Sequence, residues 1–129
     1  MLEDLGLIPA LQLLVADTRL TAGISLALDA PASLPDLPAD AANTAYRAVS
    51  EALANVVRHS QASTCTVRIE HHDGMLEIDV TDNGAGFNPS ATGGTGLRSI
   101  ATRASLANGE AIIASTLGAG TTITVRVPT

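Results

Sequence analysis

Two glycine-containing segments hold the residues best suited to chemistry. Asp82-Asn83-Gly84-Ala85-Gly86 follows an alternating apolar pattern, and Gly93-Gly94-Thr95-Gly96 precedes an apolar pattern of helical period. A carboxylate beside two glycines offers an acceptor next to a backbone that a flat ligand can approach closely. A glycine loop that opens a helix presents N–H groups to phosphate. Together the segments predict a nucleotide site, although Asn83-Gly84 is also typical of a tight hairpin turn.

Composition restricts the class of protein. The 129 residues suit one domain, and a chain that is 46% hydrophobic but 2% aromatic must fill its core with small and aliphatic side chains. The net charge of −6, with basic residues spread singly, argues against nucleic acid as a partner. The longest apolar run is too short for a membrane span, so we expect a cytoplasmic domain without membrane contact, whose parent could still be membrane-anchored. Cys65 is the only cysteine, and we expect it in the core.

Hydrophobic periodicity predicts three helices and five strands, with Asp40 as the N-cap of the central helix and three prolines marking residues 30–38 as a loop. The hairpin turns are predicted at residues 71–74 and 118–120. The predicted elements are helices at 5–21, 41–57 and 97–106, and strands at 23–29, 64–70, 75–81, 111–116 and 121–127.

These elements position the candidate residues. On the central helix, Glu51, Asn55 and either Arg58 or His59 lie one above another at helical spacing. Asp82 shares the alternation of the apolar residues in the strand before it, so its carboxylate is predicted to point toward the apolar side of the sheet. A charge there needs a partner.

Four motifs in order resemble the catalytic ATP-binding domain of sensor histidine kinases, in the family of ATPases shared with gyrase, Hsp90 and MutL. They are Glu51-Ala52-Leu53-Ala54-Asn55-Val56-Val57-Arg58-His59, Asp82-Asn83-Gly84-Ala85-Gly86-Phe87, Gly94-Thr95-Gly96-Leu97 and Gly120-Thr121. The short segment between the second and third motifs, together with the run from Gly6 to Leu11, resembles the subgroup of nitrate and lipid-fluidity sensors.

The resemblance implies an α/β two-layer sandwich of the Bergerat type, with helices on one face of a mixed, mainly antiparallel sheet. Residues 1–129 would form a single ATP-binding catalytic domain, a fragment of a longer kinase. The helix within residues 1–21 would lie near the junction with a dimerisation domain that this chain lacks.

On the central helix, the resemblance implies that Asn55 ligates Mg²⁺ through its amide oxygen, a hard donor for a hard cation. Arg58 would reach the phosphates, and His59 would lie beside the ribose or the phosphates. Glu51 would activate water, as in the ATP-hydrolysing relatives, or only orient the metal and its waters, and the residues leave both roles open.

Around the loops, the resemblance implies that Asp82 accepts a hydrogen bond from the exocyclic amine of adenine, and that Thr121 assists through its hydroxyl. Gly84 and Gly86 would let the backbone pass close to the base. Backbone N–H groups before the third helix would bind phosphate. The residues assigned there are Gly94, Thr95, Gly96 and Leu97.

The function implied is binding of Mg-ATP and, in the complete sensor kinase, transfer of the γ-phosphoryl group to a histidine of the dimerisation domain, with a response regulator as the later partner. We find no dimerisation helix that bears an acceptor histidine followed by Asp or Glu, and His59, His71 and His72 do not fit that pattern, so we do not expect the chain to phosphorylate itself. Two alternatives are a serine kinase of the anti-sigma type and a non-catalytic nucleotide-sensing module.

Overall fold

The structure, a computed structural model, describes residues 6–60, 62–85 and 95–129. Its described elements occur in the order helix, strand, helix, two strands, helix, two strands. They are α1 (Leu7–Ala22), β1 (Ser25–Asp29), α2 (Ala39–Asn55) continued by one π-helical turn (Val56–Ser60), β2 (Thr64–His72), β3 (Met75–Asp82), α3 (Thr95–Leu106), β4 (Glu110–Thr116) and β5 (Gly120–Pro128).

The five strands form one sheet in the order β1-β2-β3-β5-β4, in which only the β1–β2 pair is parallel. Each central strand buries alternate residues, as Leu76, Ile78 and Val80 do on β3. All three helices contact the sheet or one another, and α2 contacts both β3 and β5. The structure thus confirms the predicted α/β fold, with helices on one side of a mixed sheet.

The core lies between α2 and the central strands and is aliphatic, as the composition predicted. Small residues on α2, such as Ala45, Ala48 and Ala52, are buried together with Val49 and Leu53. Alanines bring the helix axis close to the sheet, where strand residues fill the remaining volume. This close packing fixes the height of the C-terminal end of α2 above the ends of β3 and β5.

Three of the differences between predicted and observed boundaries concern the central helix and the first hairpin. Helix α2 begins at Ala39 after Pro38, whose φ of −55° is already that of a helix start, so Asp40 belongs to the first turn and is not the N-cap. The α-helix ends at Asn55 and continues as a π turn, so the helical pattern runs past Val57 to Ser60. The third correction concerns the first hairpin.

In that hairpin, His71 and His72 belong to β2 and pair with residues of β3, so the turn contains only Asp73 and Gly74. Both have positive φ, 54° and 72°, as a two-residue turn that follows the twist of its strands requires. The sequence prediction made this turn two residues too long because histidine has little strand preference of its own and pairing decides its conformation.

Candidate functional site

Asp82 ends β3 with its side chain directed toward the helix side of the sheet. The residue is 8% exposed, and its strand neighbours are Cys65 on β2 and Thr121 on β5. Its Oδ1 accepts a hydrogen bond from the N–H of Gly84 at 2.8 Å. This contact turns the chain immediately after the strand and fixes the plane of the carboxylate. Among the described residues, nothing donates a hydrogen bond to Oδ2.

Asn83 holds this loop to the start of β2. Its Oδ1 accepts hydrogen bonds from the N–H groups of Ser63 at 3.0 Å and Thr64 at 2.9 Å, and its Nδ2 donates to Ser63 Oγ at 2.9 Å. Asn83-Gly84 does not join two adjacent strands, because the sheet neighbours of β3 are β2 and β5, so the hairpin alternative is wrong. No local sequence pattern indicated this bridging role of Asn83.

Thr121 lies beside Asp82 on the next strand and is also buried. Its Oγ1 is 2.7 Å from Ser115 Oγ, and the hydroxyl of Ser115 also lies within hydrogen-bond distance of the Gly120 carbonyl, 3.2 Å away. The sequence analysis did not identify Ser115. Its place opposite Thr121 follows from the register of the second hairpin. The pair adds hydroxyl donors and acceptors next to the Asp82 carboxylate.

The β4–β5 turn approaches the same loop from the other side. The N–H of Gly118 donates to the carbonyl of Ala85 at 2.5 Å. Gly120 has a φ of +88°, and a Cβ at this position would overlap the carbonyl of Asp82. The sequence predicted a turn here, and the structure shows in addition that glycine is required for the close approach of two backbones.

Asn55 is the last residue of the α-helical part of α2 and is half-buried. Its Nδ2 is buried and, among the described residues, has no hydrogen-bond partner. A buried amide without a partner is costly, so such a group points to a ligand or to water. The unpartnered Nδ2 calls for a hydrogen-bond acceptor, while the oxygen of the same amide is a neutral, hard ligand of the kind that Mg²⁺ accepts. The π turn that follows widens the helix, and such turns are frequent at functional sites.

Glu51 and Arg58 differ in how the structure places them. Glu51 is half-buried one turn before Asn55 and lines a cavity of about 280 Å³ between α2 and α3. Arg58 is exposed, and its Nε donates to the carbonyl of Ala54 at 3.3 Å. No hydrogen bond in the described part of the chain joins Arg58 to Asn55 or Asp82, so its assignment to phosphate remains a prediction.

The remaining predicted residues are described only in part or not at all. Gly86 and Gly94 lie outside the described residues. For His59, Thr95, Gly96 and Leu97 the structure gives the backbone element alone, a π turn for His59 and the first turn of α3 for the other three. Helix α3 therefore begins two residues earlier than predicted, inside the glycine motif.

Cys65 lies beside Asp82 on the neighbouring strand and is buried, as predicted. Burial, together with the nearby carboxylate of Asp82, raises the pKa of its thiol from 9.0 to about 12. The thiol is therefore protonated at neutral pH and acts as a small core group. Within residues 6–60, 62–85 and 95–129, no three His, Cys, Asp or Glu side chains are grouped as a metal cluster.

The helices described here include none that is both long enough and apolar enough to cross a bilayer.

Comparison with known proteins identifies a family whose matched region includes the candidate site. A family described as histidine kinase-, DNA gyrase B-, and HSP90-like ATPase matches residues 40–129. The chain is 37% identical over 132 residues to the sensor histidine kinase MctS of Rhizobium johnstonii, covering 98% of this chain and 28% of that protein. It is 44% identical over 85 residues to the sensor histidine kinase LiaS of Bacillus subtilis, covering 64% of this chain and 24% of that protein.

The fold is also that of a solved histidine kinase domain. The blue-light activated histidine kinase of Erythrobacter litoralis EL346 superimposes with a TM-score of 0.77 at 22% identity, over 92% of this chain and 58% of that domain. The family match covers the central helix, the Asp82 loop and the last hairpin, which together build the site. The chain belongs to the family of histidine kinase-, DNA gyrase B- and HSP90-like ATPases.

Proposed function

We propose that this chain binds Mg-ATP and, within a longer sensor kinase, transfers the γ-phosphoryl group to a histidine of a dimerisation domain. The observation that carries the proposal is the carboxylate of Asp82. It is buried, its Oδ1 is held by Gly84, and its Oδ2 has no donor among the described residues. Asp82 is buried as a residue, but Oδ2 is not among the fully buried side-chain atoms without a partner, so this oxygen is accessible to a ligand with an N–H donor.

In this proposal, Asp82 Oδ2 determines where the base of the nucleotide binds. The exocyclic amine of adenine donates where guanine has an oxygen that can only accept, so a carboxylate that faces this position of the base would favour adenine. The hydroxyls of Thr121 and Ser115 lie next to the carboxylate and supply further polar contacts, direct or through water. Gly84, which is buried, would let the backbone of the loop pass close to the base because it has no side chain.

In this proposal, residues near the C-terminal end of α2 bind the phosphates together with Mg²⁺. Asn55 would hold Mg²⁺ through its amide oxygen, and the ion would supply positive charge to offset the negative charge of the phosphates during transfer. The half-buried carboxylate of Glu51, one turn before Asn55, would orient waters around the ion. Gly94, which precedes α3, and Gly96, in the first turn of α3, would contribute N–H groups to the phosphates.

The kinase assignment rests on the relatives. The chain spans 28% of MctS and 24% of LiaS, which are sensor histidine kinases. An ATP-binding domain of this size leaves the histidine acceptor to another part of the parent, namely the dimerisation domain. A response regulator would then receive the phosphoryl group from that domain. Phosphoryl transfer needs mainly positioning and charge neutralisation, so the few side chains of this site suffice.

The test is incubation of the purified chain with γ-labelled ATP and Mg²⁺, with and without the separately purified dimerisation domain of its parent. We expect acid-labile phosphate on the dimerisation domain only. Label on His59, His71 or His72 of this chain would contradict the proposal. Acid-stable label on a serine of a partner would favour an anti-sigma type of kinase instead, and nucleotide binding without any transfer would favour a sensing module.

A further inference from the structure

A groove lies between α2 and α3, beside the candidate site. Two adjoining cavities, of about 230 and 280 Å³, share the side chains of Asn43, Arg47 and Arg103. One cavity includes Glu51, and the other extends to Asp40 at the start of α2. The groove is therefore continuous along α2 and ends one turn before Asn55.

The two arginines of the groove have no counter-ion in the part of the chain that the structure describes. Among the described residues, neither Arg47 nor Arg103 forms an ion pair or a hydrogen bond, and both are exposed. By contrast, Arg68 and Arg126 each contact two carboxylates on the open face of the sheet. In a chain of net charge −6, two adjacent arginines left unpaired form a local cationic site.

The other residues that line the groove strengthen its cationic character. The middle of the groove adds donors from Asn43, Tyr46 and Ser50 to the two guanidinium groups, and the carboxylates of Asp40 and Glu51 stand only at its ends. Arginine on two facing helices is suited to bidentate contact with carboxylates. The preferred occupant therefore carries negative charge at its centre.

We infer that this groove, defined by Arg47, Arg103, Asn43 and Glu51, is the docking surface for an acidic segment of the domain that carries the acceptor histidine. The inference rests on the proposed function. Three observations support this occupant: the two arginines without a counter-ion in the described part of the chain, the continuity of the groove with Glu51, one turn before Asn55, and the small share of each kinase relative that this chain covers.

The experiment measures steady-state phosphorylation of the parent's separately purified dimerisation domain, at 50 and 300 mM salt. Arg47→Gln and Arg103→Gln each remove one charge from the groove. Arg68→Gln removes one charge from the open face of the sheet and is the matched control. Each variant is first checked for thermal unfolding and for ATP affinity, both of which we expect to match those of the unmodified chain.

For the double variant Arg47→Gln/Arg103→Gln, we expect the KM for the dimerisation domain to rise about tenfold at low salt, with kcat changed less than twofold. Its KM should also depend less on salt than that of the unmodified chain. Arg68→Gln should leave both quantities unchanged.

Two negative results are distinguishable. If the unmodified chain phosphorylates the dimerisation domain and the double variant does so with the same KM and the same salt dependence, the groove inference is wrong and the proposed function stands. If the unmodified chain binds ATP but neither binds nor phosphorylates that domain, the proposed partner is wrong, and the groove inference falls with it. Equal loss of activity in Arg68→Gln would show an effect of net charge alone.

Discussion

Gly120 lies directly against the backbone of Asp82. The two residues are on neighbouring strands, and a Cβ on Gly120 would overlap the Asp82 carbonyl oxygen. The φ of Gly120, +88°, is also one that only glycine adopts without strain. The backbone that carries the Asp82 carboxylate is thus packed against a residue that contributes no side chain, at the point where the last hairpin meets the Asp82 loop.

Gly120→Ala should therefore destabilise the chain more than Gly118→Ala. Both residues have positive φ in the same turn, 88° and 80°, so each substitution carries the conformational cost of about 1 to 2 kcal/mol. Only at Gly120 does the new Cβ meet backbone atoms, because nothing lies within 4 Å at Gly118. Urea unfolding measures the difference. Equal losses of stability would show that the two backbones are not in close contact.

Asn55 and Asn83 should respond in opposite ways to the same substitution. Asn55→Leu removes a buried Nδ2 without a described partner, so the free energy of unfolding without nucleotide should stay the same or rise, while Mg²⁺-dependent ATP binding is lost. Asn83→Leu removes three hydrogen bonds and should cost about 2 kcal/mol or more. Denaturation and calorimetry on both variants test this pair, and a strongly destabilised Asn55→Leu would contradict the assignment of Asn55 to a ligand.

Cys65 should make the chain sensitive to alkali. Below about pH 8 the thiol is protonated in both the folded and the unfolded chain, so it adds no pH dependence. From pH 9 toward 12 the unfolded chain loses the proton while the folded chain keeps it, and stability falls by up to about 1.4 kcal/mol per pH unit. Cys65→Ala should remove this contribution. Identical alkaline slopes for the two chains in chemical denaturation would show that the thiol is not protected.

The sequence predicted the elements of the fold better than their ends. The alternation of Leu76, Ile78, Val80 and Asp82 correctly placed the carboxylate on the buried face, because period-two burial follows directly from strand geometry. The π turn after Asn55 was not predictable, since its residues have no distinct helical preference and the tertiary environment selects the wider turn.

The polar contacts of the site were harder to predict from the sequence than its motif residues. The bridge from Asn83 to Ser63 and Thr64 depends on how two strand ends meet, about twenty positions apart. The Ser115–Thr121 pair depends on the register of the second hairpin. Neither relation appears in local pattern, because hydrogen bonds between side chains are set by tertiary geometry.

Asp79 lies on the same strand as Asp82 and provides a matched control for the role of Asp82. Asp82→Asn keeps the size of the side chain but replaces the carboxylate by an amide. Asp79→Asn makes the same change on the opposite face, where Asp79 accepts a hydrogen bond from Thr124 Oγ1 at 2.6 Å. Both variants should fold, so a difference in nucleotide affinity between them reports the site and not the charge of the chain.

The most direct measurement is calorimetric titration of the chain, Asp82→Asn and Asp79→Asn with ATP and GTP in the presence of Mg²⁺. We expect the unmodified chain and Asp79→Asn to prefer ATP. Asp82→Asn should lose more than about 1.5 kcal/mol of ATP binding free energy and most of the preference for adenine, because the amine loses a charged acceptor. Equal affinity of the unmodified chain for ATP and GTP, or unchanged selectivity in Asp82→Asn, would contradict the account.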